Sequence, residues 1–504
     1  MTTLFTHSYF LRFDPKEYKA MMPYPPLGTL YAAAVARDAG HDVALFDAML
    51  ADSEEEIEAH ILATRPEVVV IYDDDFNYLT KMCLTRMREA ACRMAAIAKQ
   101  HGCAVIVHGS DPTDHFHTYF DAGADAILLG ESEITLKEVL EYLAETTERP
   151  MTEIAGVVVR NANGEIVQGP RRGALRDLDQ LPFPARDLVD IDRYRAIWTE
   201  RHGYFSLNIA TTRGCPFHCN WCAKPLYGQS YSSHSPERVA AEMELLKKTW
   251  NPDHLWICDD IFGLKPGWME TFANQVQRRN AAIPFKCLSR ADLLLRGNTI
   301  GLLQRAGCRT VWMGAESGSQ KVLDAMEKGT TIQQIEEATR KLRGAGIHVG
   351  YFLQFGYPGE GKQEIADTLA MVQKNLPDEI GISVSYPLPG TPFYQRVKAQ
   401  MKGQQNWRES ADLAMMFQGA FSTQFYRRLA AYVHKKHRLW LGLRLLRALA
   451  QKRGDATHRI PFRRALLAPY YAIGALLLLP QLRFHQQANR LPKLQPPRPA
   501  AELR

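Results

Sequence analysis

Three closely spaced cysteines constrain this chain of 504 residues more than any other feature. Cys215, Cys219 and Cys222 follow the spacing C-x3-C-x2-C within the segment Arg213–Cys222. Because only eight residues hold them, the three thiols can converge without a helix or strand between them. A closed iron–sulfur site takes four cysteines, so three would leave one iron of a four-iron cluster open to another ligand. An open coordination position is what a catalytic metal site requires.

Two other interpretations of these cysteines remain open. Together with His218 they could form a zinc site of three sulfurs and one nitrogen, although donors so close in sequence would crowd a tetrahedron. They could also be three unrelated thiols, since isolated cysteines are mostly small core residues. Ordinary thiols of that kind are predicted at Cys83, Cys92, Cys103, Cys258, Cys287 and Cys308.

The segment resembles the cluster motif of the radical S-adenosylmethionine (SAM) enzymes, including the aromatic Trp221 before the last cysteine. The resemblance implies that Cys215, Cys219 and Cys222 hold a [4Fe-4S] cluster whose free iron binds the amino and carboxylate groups of SAM. In that family an electron from the cluster cleaves SAM to methionine and a 5′-deoxyadenosyl radical.

Composition and cysteine usage bound the class of protein. With 46% hydrophobic and 23% charged residues, the chain has the composition of a soluble globular protein, and its length suggests roughly three domains. The odd count of nine cysteines, together with a thiolate motif, indicates a reducing cytoplasm. The segment Met1–His7 lacks the basic and apolar regions of a signal peptide. The sequence therefore predicts a cytoplasmic protein.

The first 145 residues alternate between apolar strands and helices. Strands are predicted at 42–46, 68–72, 104–108 and 126–129, and helices at 31–39, 54–63 and 81–100. Continuous Val, Ile and Leu strands between helices are typical of a parallel, doubly wound α/β sheet. Ligands bind such sheets at the carboxyl ends of the strands. The residues predicted there are Asp73, Asp74, Gly109, Ser110, Gly130 and Glu131.

This region resembles the cobalamin-binding domain of the B12-dependent radical SAM enzymes. Its size, the Pro-Pro-Leu-Gly start at 25–28 and the segment Gly123–Glu133 carry the resemblance. It implies that the six strand-end residues lie at a cobalamin site. The D-x-H-x-x-G signature of proteins that ligate cobalt through histidine is absent, because Asp114-His115 has a different spacing. We therefore expect cobalamin to bind without a histidine ligand from this chain.

A second series of strands and helices follows a connector. The connector, residues 146–200, contains a predicted hairpin around Asn163-Gly164, which is a strong turn signal. Six strands are then predicted at 205–210, 255–258, 285–288, 310–313, 349–354 and 380–386, with helices at 236–248, 268–280, 331–345 and 363–375. Six βα units suit the partial TIM-type barrel of radical SAM enzymes, with its active site at the face formed by the βα loops.

The segments after these strands resemble further SAM-binding motifs of the family. Gly314–Gly318 matches G-x-E-S-G, which is tied there to ribose and carboxylate contacts, and Gly356–Glu360 resembles the G-x-P-G-E motif near adenine. The segment after the second strand departs from the family's pattern, because Asp259 and Asp260 stand where many relatives have a glycine-rich motif. The residues implied to contact SAM are Trp221, Asp259, Asp260, Arg290, Glu316, Ser317, Gly356 and Pro358.

The C-terminal region differs in charge from the rest of the chain. From Arg427 to Arg504 there are 17 Lys and Arg residues against two acids, a net charge of +15, so the remainder carries −9. Residues 421–451 read as a basic amphipathic helix, and Ala465–Pro480 is mostly apolar but shorter than the ~20 residues of a membrane span. Two readings stay open: docking to an anionic membrane surface, or packing against the barrel. Nucleic acid is not expected, because aromatic platforms interleaved with the charges are missing.

These features predict a cobalamin-binding domain (1–145), a connector (146–200), a radical SAM core (201–400) and a basic helical tail (401–504). The resemblance implies an enzyme that cleaves SAM at a [4Fe-4S] cluster and uses cobalamin to methylate an unactivated carbon of a small or lipid-like substrate. It also implies an electron donor such as flavodoxin or ferredoxin. The alternatives are a radical SAM oxidoreductase or cyclase that uses cobalamin for electron transfer, and a non-catalytic cobalamin- or cluster-binding sensor. Location at the inner face of a membrane is expected if the tail docks there.

Overall fold

The computed structural model describes residues 1–222, 226–401, 403–450 and 465–484. This part of the chain divides into two compact units. The first unit comprises Met1–Pro216, Ala223–Lys286 and Asn406–Asp412. The second comprises Phe217–Cys222, Cys287–Gln405 and the described part of Leu413–Arg504.

The first sheet lies in the first unit. Its strands are β1 Thr2–Thr6, β2 Asp42–Leu45, β3 Val68–Tyr72, β4 Ala104–His108, β5 Ala126–Leu128, β6 Val157–Arg160 and β7 Ile166–Gln168. They are arranged in the order β2-β1-β3-β4-β5-β6-β7. Strands β1 to β5 pair in parallel, whereas β6 and β7, the predicted hairpin, extend the sheet with antiparallel pairs. The chain order reverses between β1 and β3, which is where open α/β sheets bind ligands.

Helices cover both faces of this sheet. The helices of the N-terminal region are α1 Pro15–Ala20, α2 Leu27–Asp38, α3 Glu56–Thr64, α4 Thr85–Gln100, α5 Ser110–Asp114, α6 Phe116–Asp121, α7 Glu133–Leu143 and α8 Ile191–His202. Helices α2 and α7 share one apolar core with Val68 and Val70 of β3. Helices α3 and α4 share another with Val69 and Ile71 of the same strand. Successive side chains of a strand point to opposite faces, so the fully buried β3 needs both layers, and the predicted doubly wound α/β domain is confirmed.

The second series of elements repeats strand and helix six times. Its strands are β8 Ser206–Ile209, β9 Thr212–Arg213, β10 Ser232–Ser233, β11 His254–Ile257, β12 Phe285–Ser289, β13 Cys308–Glu316, β14 His348–Phe355 and β15 Glu379–Val384. Its helices are α9 Pro236–Thr249, α10 Trp268–Arg278, α11 Ala291–Leu294, α12 Thr299–Ala306, α13 Gln320–Ala325, α14 Ile332–Gly344, α15 Lys362–Asn375 and α16 Pro392–Val397. Single 3-10 turns lie at Leu11–Phe13, Ala48–Leu50, Thr80–Met82, Met151–Glu153, Leu178–Gln180, Arg186–Leu188 and Lys398–Gln400.

The six long strands of this series form a sheet of order β15-β14-β13-β12-β11-β8. Within the first unit β8 pairs with β11 in parallel, and β11 pairs with β12. Within the second unit β13 pairs with β14, and β14 with β15, also in parallel. Each strand is followed by a helix before the next strand begins, which is the pattern of a partial (βα)6 barrel. The predicted fold class is therefore confirmed for this region as well.

Two long helices end the described chain. They are α17 Thr423–Ala450 and α18 Ala468–Phe484. Helix α17 continues through Gly442 without a break, and His437 on it donates from Nε2 to the Pro377 carbonyl at 2.7 Å. Helix α18 packs against α17. The two run antiparallel, because Ala465 lies with Leu441 and Leu445 while Tyr470 lies against Lys435. The remaining parts of the predicted tail, 451–464 and 485–504, lie outside the described residues.

Candidate active site

The cysteine motif begins in the first unit on a short antiparallel pair. Thr212 and Arg213 of β9 pair with Ser233 and Ser232 of β10, which fixes the start of the motif loop. Gly214 follows in the left-handed region with φ +75°, and a side chain there would collide with the Ser230 carbonyl. Only glycine fits such a backbone without strain. The next residue, Cys215, is half-buried.

Arg213 anchors this loop through a fully buried ion pair with Glu133 at the start of α7. Its Nη2 lies 2.5 Å from Glu133 Oε1 and its Nη1 3.1 Å from Oε2, so the pair is bidentate. The rings of Tyr31, Phe76 and Tyr227 surround the guanidinium at 5.6–5.7 Å. Burial alone would raise the pKa of Glu133, but the Arg213 charge holds it below its usual value. The motif is thus attached to the N-terminal α/β domain by a pair whose partners are 80 residues apart.

Asp259 and Asp260, predicted to contact SAM, have protein partners in the first unit. Asp259 is buried and accepts from the Thr211 and Thr212 amides at 2.6 and 3.0 Å, so it supports the backbone leading into the motif. Burial raises its pKa to about 7. Asp260 is part-exposed and pairs with Lys81 at 2.7 Å. The structure therefore gives each carboxylate a local role within this unit.

The acidic run after β3 is buried at the edge of the first sheet. Asp73 Oδ1 accepts from the Ser8 amide at 2.9 Å and from the Ser8 hydroxyl at 2.7 Å. Asp74 Oδ1 accepts from the Gly28 amide at 2.9 Å. A Cβ at Gly28 would lie 2.9 Å from the Asp75 nitrogen, which explains the glycine of Pro-Pro-Leu-Gly. Burial raises the pKa of Asp73 and of Asp74 to about 6.

A buried polar network occupies the ends of β3 and β4. His108 Nε2 lies 2.9 Å from Asp75 Oδ2, and its Nδ1 lies 2.6 Å from the Ser132 hydroxyl. Burial works against a charged His108, but Asp75 outweighs it and raises the pKa of the imidazole. Both ring nitrogens therefore have protein partners. Asp75 Oδ1 is buried and has no hydrogen-bond partner in the part of the chain that the structure describes.

The other residues predicted at this edge lie nearby along the chain. Gly109 approaches Asp73, because a Cβ there would lie 2.8 Å from Asp73 Oδ2, and Ser110 is buried at the start of α5. Gly130 has φ +69° and leads to Glu131, whose Oε2 accepts from the Leu175 amide. Burial raises the pKa of Glu131, and its Oε1 has no hydrogen-bond partner. Among the described residues, this edge of the sheet therefore has two carboxylate oxygens without a hydrogen-bond partner, and a glycine whose backbone lies close to Asp73.

In the second unit the motif is anchored by Asn220, which sequence reasoning did not single out. Its Nδ2 donates to the Ala325 carbonyl at 2.9 Å and to Glu327 Oε1 at 3.0 Å. Its Oδ1 accepts from the Tyr357 hydroxyl at 2.8 Å. Asn220 is 1% exposed, and its bond with the buried Tyr357 is shielded from water, whereas Glu327 is exposed. The residue between Cys219 and Trp221 therefore binds the chain after β13 and the chain after β14.

Arg290 lies directly against one of the motif cysteines. Its Nη1 is 3.6 Å from Cys219 Sγ, within hydrogen-bond reach of a sulfur acceptor. Its Nη2 donates to the Lys328 carbonyl at 2.7 Å and its Nε to Asp292 at 2.9 Å. The guanidinium also stacks over the Phe217 ring at 3.7 Å. Arg290 is thus held rigidly beside the Cys219 thiol.

Glu316 and Lys328 form a second buried ion pair. Lys328 Nζ lies 2.8 Å from Glu316 Oε1, and both residues are less than 10% exposed. Glu316 has φ +57°, a left-handed conformation that costs energy for a side-chain-bearing residue. Burial opposes the charge of Lys328, but Glu316 and then Cys219 raise its pKa. The Lys328 ammonium also lies 5.9 Å from the ring of Trp221, whose buried Nε1 has no hydrogen-bond partner among the described residues.

The remaining predicted SAM contacts flank this pair along the chain. Ser317 is buried and lies 3.2 Å from the Thr368 hydroxyl. Gly356 has φ +81°, and its amide donates to Glu360 Oε2 at 2.5 Å, while Pro358 is half-buried. Glu360 Oε1 is buried without a partner, and burial raises the pKa of this carboxyl to about 8.

The three motif thiols fit an iron–sulfur cluster in kind and number. Cys215, Cys219 and Cys222 are half-buried and none of them forms a disulfide, and the Arg290 Nη1 lies 3.6 Å from Cys219 Sγ. Among the described residues, no group of three or more His, Cys, Asp or Glu side chains is arranged to hold a metal ion.

Comparison with known families shows which family this chain belongs to. Residues 19–140 match the B12 binding domain, and residues 209–372 match the Radical SAM superfamily. The chain belongs to the cobalamin-binding radical SAM family. Its cofactors are therefore a [4Fe-4S] cluster, SAM and cobalamin, and it is a radical SAM enzyme.

Relatives from this family have different activities in their names. A methyltransferase of Pyrococcus horikoshii, itself uncharacterized, is 28% identical over 76% of this chain and 81% of that protein. The hopanoid C-3 methylase of Methylococcus capsulatus is 27% identical over 76% of this chain and 70% of its own length. An anaerobic magnesium-protoporphyrin IX monomethyl ester cyclase of Synechocystis is 24% identical over 63% of this chain and 62% of its own length.

A solved structure shares the fold of this radical SAM enzyme. The cobalamin-dependent SAM radical enzyme OxsB, with aqua-cobalamin bound, superimposes with a TM-score of 0.70. The alignment covers 95% of this chain and 72% of that one at 16% sequence identity. At this identity the match shows the fold alone.

Proposed function

We propose that this radical SAM enzyme methylates an unactivated carbon of a small, apolar molecule. The observation that carries the proposal is that two relatives with methyltransferase or methylase names align over 76% of this chain. When bound, the cluster supplies the electron that cleaves SAM, and cobalamin supplies the methyl group.

Cys215, Cys219 and Cys222 are proposed to hold three irons of the cluster, and the surrounding side chains keep them in place. Asn220 fixes the loop between the last two cysteines. Arg290 and Lys328 place positive charge beside Cys219. These residues bind and orient; the difficult chemistry belongs to the cofactors.

The SAM contacts are proposed along the ends of β13 and β14. The Glu316–Lys328 pair, the unpaired Trp221 Nε1 and the unpaired Glu360 Oε1 are polar groups that suit a zwitterionic amino acid moiety. Glu316, Ser317, Gly356 and Pro358 keep their predicted roles in this proposal. Arg290, in contrast, is proposed to act on Cys219 rather than on SAM, because each of its three guanidinium nitrogens already contacts a protein group.

Cobalamin is proposed to bind at the edge formed by the ends of β3, β4 and β5. The unpaired Asp75 Oδ1 and Glu131 Oε1 are acceptors for the amide side chains of the corrin. His108 has both ring nitrogens engaged, so it offers no free ligand to cobalt. Electron paramagnetic resonance of the Co(II) holoenzyme should therefore lack nitrogen superhyperfine splitting from a histidine, and its presence would refute histidine-free binding.

A cyclase-like redox reaction is the second candidate, favoured by the similarity to the Synechocystis cyclase. Methyl-deuterated SAM distinguishes the two. For a methyltransferase, the label leaves SAM and appears first in the protein-bound cobalamin fraction and then in a product heavier by one labelled methyl group. For a cyclase, the label stays with SAM-derived methionine, and that outcome would overturn the methylation proposal.

Two further partners follow from this proposal. Reductive cleavage needs a low-potential electron donor such as flavodoxin or ferredoxin. The +15 C-terminal region is proposed to hold the enzyme at the inner face of a membrane, where an apolar substrate would be found. A non-catalytic sensor is disfavoured, because a sensor would not need the SAM-like motifs that follow the strands of the second series.

A further inference from the structure

Helix α18 has an outward face that is apolar and uncovered. Four large side chains on it are 59–65% exposed to solvent. They are Tyr470, Ile473, Leu476 and Leu477, and Leu466 just before the helix is equally exposed. Residues three and four apart share one side of a helix, so these side chains form a single stripe. We call this stripe the α18 outer face.

The stripe is not part of the helix's own packing surface. The opposite side of α18 is buried, and it carries Ala468, Tyr471, Ala475, Leu478 and Leu482. That side packs against α17. A helix that is apolar on both sides is normally buried on both. Contiguous exposed apolar patches on a protein mark a surface that binds something else.

The charges beside the α18 outer face indicate what it binds. Lys435 Nζ lies 4.7 Å from the Tyr470 ring, and the Arg438 guanidinium lies 5.9 Å from the Tyr471 ring. Arg483 stands exposed near the end of the helix. Neither α17 nor α18 contains an acidic residue. An apolar stripe bordered only by cations complements a surface that is apolar inside and anionic outside.

We propose that the α18 outer face inserts into the headgroup region of an anionic lipid leaflet. The helix lies in the plane of the membrane, with its apolar side chains among the upper acyl chains and Lys435, Arg438 and Arg483 at the lipid phosphates. None of the described helices is long and apolar enough to cross a membrane. The inference rests on the proposed membrane contact and assigns it to one helix face.

The test compares three full-length proteins on lipid vesicles by co-sedimentation. The first is wild type, the second is Ile473→Glu/Leu477→Glu, and the third is Leu62→Glu, a control on α3 that is 60% exposed like the two test positions. Vesicles contain phosphatidylcholine alone or with phosphatidylglycerol. Wild type and the control should bind anionic vesicles alike. The double variant should bind roughly tenfold less, because two charged carboxylates resist insertion beside anionic lipid. Binding of wild type should weaken at 1 M salt, where the Debye length is ~3 Å.

Each other result overturns a distinct part of the proposal. If no protein binds any vesicle, the proposed membrane contact itself is wrong. If the double variant binds as wild type does, the basic tail contacts lipid but the α18 outer face does not. If the double variant changes only the oligomeric state in analytical ultracentrifugation, the face binds a second copy. If ending the chain after Phe484 strengthens vesicle binding, residues 485–504 occupy the face instead.

Discussion

Each of the two units contains a buried ion pair between a glutamate and a basic residue. The two pairs differ in the number of contacts that hold them. In the first unit, Arg213 binds Glu133 through two nitrogens, and three aromatic rings surround it. In the second unit, Lys328 binds Glu316 through a single contact, and Glu316 is held with φ +57°.

This difference separates a structural pair from a functional one. The planar guanidinium matches a carboxylate in a fixed fork, which leaves little capacity for a ligand. An ammonium group has three rotatable donors and can exchange partners. A strained backbone such as that of Glu316 persists only where the surrounding structure holds it in place, and such residues are common at ligand sites. We therefore assign the first pair to anchoring the motif and the second to the reaction.

The largest effect on stability is expected from breaking the first pair. Glu133→Gln leaves the Arg213 charge buried without a counterion, which should lower the free energy of unfolding by about 3–5 kcal/mol. Urea unfolding followed by circular dichroism measures this, while the folded fraction keeps its SAM cleavage. Glu337→Gln, which breaks an exposed pair with Lys341, is the control and should unfold as wild type does. Equal unfolding of the two variants would contradict the anchoring role.

The largest effect on the reaction is expected from the second pair. Lys328→Met removes a fixed positive charge from the site and should lower the rate of SAM cleavage by roughly 10²–10³-fold. Glu316→Gln/Lys328→Met also removes the carboxylate charge that Lys328→Met leaves unpaired. The double variant should therefore be more stable than Lys328→Met, but it should cleave SAM no faster. Chromatographic assay of 5′-deoxyadenosine, together with the urea midpoint, separates the two properties. Recovery of the rate in the double variant would mean that the pair is structural, like the first.

A smaller effect is expected in the pH dependence of the unfolding free energy. Glu360 near this site has its pKa raised to about 8 by burial, whereas in the unfolded chain it titrates near 4.5. Between these values the folded state keeps a proton that the unfolded state releases, so stability is lost as pH rises. Glu360→Gln cannot titrate. Relative to this variant, wild type should therefore lose about 1.4 kcal/mol of unfolding free energy per pH unit from pH 5 to 8. Parallel pH profiles would show that Glu360 is not held protonated.

Much of the fold could be predicted because its strands are continuous apolar runs. The limits of β3 and β4 agree with the prediction, since both strands are bounded by glycine, proline or acidic residues. Strand β1 was not predicted, although it lies between β2 and β3, because Thr2–Thr6 has only two apolar residues, Leu4 and Phe5, among three threonines. Helix α17 passes through Gly442 because the helix is supported by tertiary packing, which outweighs the cost of one glycine.

The contacts of the site could not be predicted in the same way. The cysteine spacing is local, so the sequence alone indicated the cluster. The Glu133–Arg213 pair joins residues 80 positions apart, and Lys328 has no motif of its own. Asp259 stood at the predicted strand end, but its two amide donors, from Thr211 and Thr212, depend on pairing between β8 and β11. Side-chain partners of this kind are set by tertiary structure.

The central claim is that Cys215, Cys219 and Cys222 hold the cluster that cleaves SAM, and Cys219→Ala tests it most directly. After anaerobic reconstitution, wild type should contain about four irons per chain and produce 5′-deoxyadenosine. Cys92→Ser is the matched control, because Cys92 is half-buried like Cys219 but lies outside the motif. Cys92→Ser should keep both iron and activity, while Cys219→Ala should lose SAM cleavage completely. SAM cleavage by Cys219→Ala at the wild-type rate would contradict the central claim.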